Sequence, residues 1–149
     1  MAARPDLFAL LTRLRTAERD YDSRVERRLR IGTTDLAALR IIGVGERGGE
    51  IVRAVGLASG LGITTAAVSL LVDRLVRAGY VDRVLDPSDG RGRILCLTEA
   101  AQQGLGVTDG PAYGAIRRFT DGIPAAQAAN AATLLRELSG ILESQPAAS

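Results

Sequence analysis

Arginine is the residue type in this chain best suited to binding a partner, since all 19 basic side chains are arginine and none is lysine. The guanidinium group is a planar set of donors that fits phosphate groups and guanine bases. A GC-rich coding sequence would also favour arginine, so the bias alone indicates no function. Residues 1–30 hold eight Arg against five acids, and residues 98–149 hold three against five. This asymmetry is too mild to indicate a nucleic-acid partner by itself.

The residue types that are rare or missing exclude several kinds of site. The chain has no histidine and one cysteine, Cys96, which excludes catalysis by imidazole and zinc sites built from His or Cys. No pair of acidic or hydroxyl side chains stands out as catalytic, so we expect no enzyme activity, no cofactor and no metal. A single cysteine cannot form a disulfide within the chain, which favours a cytoplasmic location. Apolar neighbours favour Cys96 as a buried small hydrophobe over a redox switch.

One uncharged stretch, residues 54–72, approaches the length of a membrane span. Gly60 and Gly62, followed by Thr64 and Thr65, supply a helix stop and a new helix start in its middle. We therefore predict two short buried helices joined by a turn, and no membrane segment. With 149 residues and 46% hydrophobic content, the chain has the composition of one globular domain, residues 1–149.

Long helices are predicted at both ends of the chain. Apolar residues three or four positions apart predict a helix from Pro5 to Arg30, and a final helix is predicted from Pro124 to Glu143. Both carry leucine stripes that a small core cannot cover, so we expect them to pair with helices of a second chain. The predicted dimerisation residues are Leu7, Leu10, Leu14, Leu134, Leu135 and Leu138.

Glycines divide the segment after the first helix into shorter helices. Gly32 ends the first helix, and Gly45 with Gly48-Gly49 is predicted to form a flexible turn after the second. A third helix, from Glu50 to Ser59, is expected to place Ile51 and Val55 on its buried side. The fourth helix is predicted to begin at the N-cap Thr64 and to run to Gly79.

The periodicity then changes from that of a helix to that of a strand. Tyr80–Leu85 and Arg93–Leu97 are predicted to form a β-hairpin, with Asp86–Gly92 as a long, basic tip. Helix resumes at Thr98, and Gly110-Pro111 is expected to break it and to act as a hinge. The predicted fold is mainly α with a small hairpin wing, a winged helix-turn-helix. Its lobe spans residues 31–97, and residues 1–30 and 98–149 form a helical dimerisation region.

Several short motifs resemble the MarR family of bacterial transcriptional regulators, in order and at the family's spacing. They are Leu57-Ala58-Ser59-Gly60-Leu61-Gly62-Ile63, Val68-Ser69, Leu71-Val72-Asp73-Arg74-Leu75, Gly79-Tyr80-Val81-Asp82-Arg83, Asp86-Pro87-Ser88-Asp89-Gly90-Arg91 and Leu97-Thr98. The resemblance implies a homodimer that binds a pseudo-palindromic operator in double-stranded DNA. It also implies a repressor that a small organic effector releases.

The resemblance further implies which residues meet DNA. The fourth helix would enter the major groove, and the hairpin would reach the minor groove. The family's Asp-x-Arg wing motif maps onto Asp89 and Arg91: the carboxylate would brace the loop and the arginine, fixed by a charge-assisted hydrogen bond, would enter the groove. The candidate DNA-binding residues are Thr64, Thr65, Ser69, Arg74, Asp89, Arg91 and Arg93. For Arg74, an ion pair with Asp73 or another nearby acid is an equal alternative.

Some residues depart from the family's pattern. Gly90 stands where an arginine is common, and Ala101 where a glycine often follows the wing. The fourth helix is poor in hydrogen-bond donors, with Ala66, Ala67 and Leu70 beside its hydroxyl residues. This composition leaves open a second function, that of a winged-helix protein-interaction module that does not bind DNA.

Overall fold

A computed structural model describes residues 5–106 and 111–145 of the chain, which divides into two compact units, residues 1–110 and 111–149. The predicted fold class is confirmed, because the described residues are mainly helical and contain one two-stranded hairpin. The first unit contains α1 (Leu7–Leu29), α2 (Thr33–Gly48), α3 (Ala54–Leu61), α4 (Thr65–Arg77), β1 (Val81–Asp86), β2 (Asp89–Leu97) and α5 (Glu99–Leu105). The second contains α6 (Pro111–Asp121) and α7 (Ala125–Ser144).

The first helix begins at a side-chain cap. Asp6 is the N-cap, and its Oδ1 accepts a hydrogen bond from the backbone N–H of Ala9 at 3.0 Å. Pro5 therefore precedes the helix, where the sequence predicted it inside the first turn. Only the C-terminal part of α1 enters the core of its unit, through Val25 and Leu29.

The second helix is longer than predicted, because Gly45 lies inside it and not in a turn. A Cβ at this position would lie 2.4 Å from Cγ2 of Val52, so the glycine permits close packing of the following segment. The helix ends at Gly48, and the C-cap Gly49 follows with a φ of 71°, which suits glycine. Residues 50–53 are not helical, and the third helix starts only at Ala54. Ile51 and Val55, expected inside, are consequently 49% and 71% exposed.

The helix-turn-helix follows from local signals that the sequence carries. Gly62 adopts a φ of 65° and ends α3, and Thr64 then caps α4. The predicted buried stripe on α4 is confirmed, with Val68, Leu71 and Leu75 at most 3% exposed. The core of this unit combines these residues with buried side chains from every other element of the unit: Val25, Leu29, Leu36, Ala38, Leu39, Ile42, Leu57, Ala58, Val72, Val81, Leu95, Leu97, Ala101 and Leu105.

The hairpin is longer and its turn shorter than the sequence indicated. β1 and β2 pair antiparallel from Val81 opposite Leu97 to Leu85 opposite Arg93, and the next pair is Asp86 with Asp89. The register therefore shifts at this point, which leaves residues 90–92 of β2 without partners on β1. The predicted seven-residue tip is in fact a tight turn at residues 87 and 88 followed by this bulge.

The second unit is a pair of helices joined at residues 122–124. α7 agrees with the predicted final helix to within one residue at each end, whereas α6 was not predicted. No residue of α7 is buried in the described chain. The expected hinge falls partly on Gly110, which lies outside the described residues.

No single helix in the described part of the chain is long and apolar enough to cross a membrane. α3 and α4 meet the length and composition criteria as a pair, but the axis bends by 109° between them. The sequence predicted this break from Gly60 and Gly62. Both helices contribute buried side chains to the core, as expected.

Candidate nucleic-acid interface

The outward side of α4 carries the candidate residues nearest its start. The Oγ1 of Thr64 accepts a hydrogen bond from the N–H of Ala67 at 3.2 Å, so the N-cap prediction is confirmed. Thr65 and Ser69 are exposed, and the Ser69 hydroxyl donates to the carbonyl of Thr65 at 3.0 Å. In helix-turn-helix proteins, residues near the N-terminus of the helix in the major groove contact base edges. Thr64, Thr65 and Ser69 lie at this end of α4.

Arg74 is held by a neighbouring acid, one of the two alternatives that the sequence left open. Its Nε and Nη2 donate to the two carboxylate oxygens of Asp35 at 3.2 and 2.5 Å. Asp35 is 6% exposed and also accepts from the N–H of Gly32 at the start of α2. The hydrogen bond and the charge of Asp35 raise the pKa of Arg74 above its ordinary value. This pair fixes α4 against α2.

A second ion pair joins α4 to the hairpin. Nη2 of Arg83 on β1 lies 2.6 Å from Oδ1 of Asp73 on α4. The sequence named Asp73 as a candidate partner of Arg74 and assigned no role to Arg83, but the structure pairs Asp73 with Arg83. The pairing spans a helix and a strand, so no local spacing rule reveals it. It links the helix that would enter the major groove to the wing.

The turn of the hairpin is built around Asp86, whose side chain is fully shielded from solvent. Its Oδ1 accepts hydrogen bonds from the hydroxyl and the N–H of Ser88 at 2.7 and 2.8 Å. Its Oδ2 accepts from the guanidinium of Arg53, the N-cap residue of α3. Hydrogen bonds from Ser88, aided by Arg53, lower the pKa of Asp86 to about 2. The wing turn is thereby attached to the helix-turn-helix through a group that the sequence prediction missed.

The bulge of β2 presents the two wing arginines. Oδ1 of Asp89 accepts a hydrogen bond from the backbone N–H of Arg91 at 3.2 Å. The carboxylate thus contacts the backbone, where the sequence predicted a bond to the guanidinium itself. Arg91 and Arg93 are exposed, and within residues 5–106 and 111–145 neither has an ion-pair partner. A Cβ at Gly92 would lie 3.3 Å from Oδ2 of Asp89, so a side chain there would crowd the bracing carboxylate.

The predicted dimerisation residues are mostly open to solvent in the single chain. Leu7, Leu10 and Leu14 on α1 are 44–53% exposed. On α7, Leu134 and Leu135 are 38% and 56% exposed, and Leu138 is half-buried. Further exposed apolar side chains on the same helices and on α6 are Phe8, Ile116, Phe119, Ile141 and Leu142.

The first unit contains two other features, a groove and the single cysteine. A groove of about 400 Å³ is lined by α2, residues 50–53 and the start of α3, with Ile41, Val44 and Ile51 among its apolar walls. Cys96 is half-buried on β2, and burial, followed by the nearby charge of Glu46, raises the pKa of its thiol. A thiol with a raised pKa forms less of the reactive thiolate. The sequence predicted Cys96 to be buried, whereas the structure leaves it partly exposed.

A helix, a left-handed glycine turn, a second helix and an antiparallel hairpin together define a winged helix-turn-helix protein. The family model described as the MarR family matches residues 31–92, the segment that contains these elements. The resemblance stated from the sequence is confirmed over this segment. No curated protein matches the sequence.

Solved structures share this fold over nearly the whole chain. A mutant of Staphylococcus aureus MepR bound to an oligodeoxyribonucleotide is 18% identical, with a TM-score of 0.56 over 90% of this chain and 97% of that chain. The transcriptional regulator Tm0710 from Thermotoga maritima is 20% identical, with a TM-score of 0.59 over 95% and 98%. MepR bound to ethidium bromide is 17% identical, with a TM-score of 0.60 over 90% and 96%. The family match and the fold support a DNA-binding transcriptional regulator.

Proposed function

We propose that this protein is a cytoplasmic transcriptional repressor that binds a pseudo-palindromic operator in double-stranded DNA as a homodimer. The observation that carries the proposal is the exposed pair Arg91 and Arg93 on a hairpin fixed to the helix-turn-helix. An arginine without an ion-pair partner on a narrow loop is well suited to the negative potential of a narrow minor groove. The DNA-bound MepR structure shows that this fold can bind DNA in a related protein.

In this proposal α4 and the wing contact different grooves of the DNA. α4 lies in the major groove, where Thr64, Thr65 and Ser69 meet phosphates or base edges. Arg91 enters the minor groove, and Asp89 holds the backbone of the bulge that carries it. Because Asp35 holds the guanidinium of Arg74, we assign to Arg74 the positioning of α4 in addition to any phosphate contact.

The leucines that the single chain leaves uncovered support the homodimer. Leu7, Leu10 and Leu14 form one stripe at helical spacing, and α7 carries another. Exposed apolar clusters of this kind are typical of protein interfaces. A two-fold dimer would present two winged lobes to half-sites one helical turn apart, about 34 Å.

A small organic effector fits the same proposal. The groove beside α2 has apolar walls and contains Arg53, which also holds the wing turn through Asp86. A molecule bound there that displaces Arg53 would loosen the wing and so weaken DNA binding. MepR has been solved with ethidium bromide, which shows that a relative of this fold takes an organic molecule.

The experiment that tests the proposal uses the full chain and a pool of random-sequence duplex DNA. Rounds of selection should enrich an inverted repeat, and the affinity for it should fall as the salt concentration rises. Light scattering should give twice the chain mass of 15.7 kDa. If no duplex is enriched and binding to DNA is absent at low salt, the protein-interaction module is the correct interpretation. A stable folded monomer at micromolar concentration would contradict the dimer.

A further inference from the structure

The outward face of α4 is aliphatic at its centre. With about 100° between successive residues of a helix, Ala66 and Leu70 lie opposite the stripe formed by Val68, Leu71 and Leu75. Ala66 is exposed and Leu70 is 67% exposed, so the core of the unit leaves both side chains uncovered. Leu70 therefore contributes little to the core of its own unit.

The polar side chains of α4, by contrast, are mostly engaged within the protein. Thr64 caps the helix, Ser69 donates to a backbone carbonyl, Asp73 pairs with Arg83, Arg74 pairs with Asp35, and Arg77 donates to the carbonyl of Asp73. A helix that reads bases by hydrogen bonds needs free donors such as Asn, Gln or Arg on its outward face. At the centre of this face α4 offers a leucine and an alanine, while Asp73 and Arg77 lie toward its C-terminal end.

Among the groups exposed in the major groove, the C5-methyl group of thymine is the one that an aliphatic side chain recognises. We infer that Leu70, supported by Ala66, recognises the methyl group of a thymine in each half-site, so that specificity in the major groove rests on apolar contact. Because the Cα–Cβ bonds of a helix tilt toward its N-terminus, Leu70 extends over the turn that contains Ala66. The inference rests on the proposed function and names the feature of DNA that α4 reads.

Replacing thymidine by deoxyuridine tests this inference directly, because it removes the methyl group and leaves every hydrogen-bonding group in place. The probe is the duplex that wild-type protein selects from a random pool, made once with thymidine and once with deoxyuridine. The affinity of the wild type should fall about fourfold for each methyl group buried, and about fifteenfold for two half-sites. Leu70→Ala should bind both duplexes equally, whereas Leu70→Met, which keeps an apolar side chain of similar volume, should retain a preference for thymidine.

The outcomes separate this inference from the proposed function. If wild-type protein binds its selected duplex but binds the deoxyuridine form equally well, the methyl contact is wrong and the DNA-binding function stands. If Leu70→Ala keeps the full preference for thymidine, another residue reads the methyl group and the assignment to Leu70 is overturned. The comparison of the two duplexes with wild type needs no variant, so it decides the point even if a substitution impairs folding. Failure to bind any duplex contradicts both proposals.

Discussion

Arg53 and Asp86 join the start of α3 to the turn of the hairpin, although they are 33 residues apart in the sequence. Asp86 is buried at the turn, whereas about half of the Arg53 side chain is exposed. The same carboxylate also holds Ser88, so it fixes the shape of the turn and its place against the helix-turn-helix.

This pair predicts an acid-dependent loss of stability. The pKa of Asp86 is lowered to about 2 in the folded protein, below the value of about 3.9 for an unfolded chain. The carboxylate therefore stabilises the folded state at neutral pH, and this contribution is lost as the pH falls from about 4 to about 2.

Asp86→Asn should thus unfold at a lower urea concentration than wild type above about pH 5. The difference in free energy of unfolding between the two proteins should shrink below pH 4, because the wild-type carboxyl group becomes protonated there. Urea titrations at several pH values measure it. A difference that stays constant from pH 6 to pH 2 would show that the charge of Asp86 is unimportant.

Most of the helix-turn-helix could be predicted because its signals are local. Gly62 and Thr64 stand next to the helices that they end and begin, and the stripe of Val68, Leu71 and Leu75 follows from helical spacing alone. The ion pairs of Arg53, Arg74 and Arg83 could not be predicted, since each joins residues 10 to 39 positions apart on different elements. For Arg74 the sequence named Asp73 or a neighbouring acid, and the structure pairs Arg74 with Asp35 instead of Asp73.

The errors in the prediction have a common physical source. Gly45 was predicted to lie in a flexible turn. In the structure it lies inside α2, where the absence of a side chain leaves room for Val52. That error moved the start of the third helix back to residue 50 and placed Ile51 and Val55 inside. In the hairpin, turn-forming residues after Pro87 suggested a long loop, but β2 begins at Asp89 and accommodates residues 90–92 as a bulge.

Gly45→Ala should destabilise the protein by about 1–3 kcal/mol, because the new Cβ would lie 2.4 Å from Val52 Cγ2 and force the packing to shift. The matched control is Gly56→Ala in α3, where an added Cβ meets no atom within 4 Å. Gly56→Ala should stabilise the protein by up to about 1 kcal/mol, since alanine favours the helix. Chemical denaturation of both variants measures the two effects. Equal effects would mean that helix propensity, and not space, decides at Gly45.

The pair Arg74 and Asp35 should show coupling in a double-mutant cycle. More than half of the Arg74 side chain is exposed, so solvent weakens the pair and we expect a coupling energy of about 0.5–1 kcal/mol. Free energies of unfolding of Arg74→Ala, Asp35→Ala and the double variant give this value without DNA. Zero coupling, together with a loss of DNA affinity in Arg74→Ala, would instead make Arg74 a DNA contact alone.

Substitutions of Arg91 and Asp89 test whether the wing contacts DNA. Arg91→Ala removes one exposed cation from each subunit, so affinity should fall by about 1–3 kcal/mol per subunit. The slope of log affinity against log salt should flatten by roughly 2 for the dimer. Arg136→Ala, which removes an exposed arginine from α7, is the matched control and should leave the slope unchanged.

Asp89→Ala completes the test because it removes a negative charge that DNA repels. Counting charges predicts tighter binding, whereas the hydrogen bond from the Arg91 backbone N–H to Oδ1 of Asp89 predicts weaker binding, since the bulge loses its brace. We expect weaker binding, with a salt slope close to that of wild type because both arginines remain. Fluorescence anisotropy with the selected duplex at several salt concentrations measures affinity and slope together. Tighter binding by Asp89→Ala, combined with an unchanged slope for Arg91→Ala, would show that the wing does not contact the minor groove.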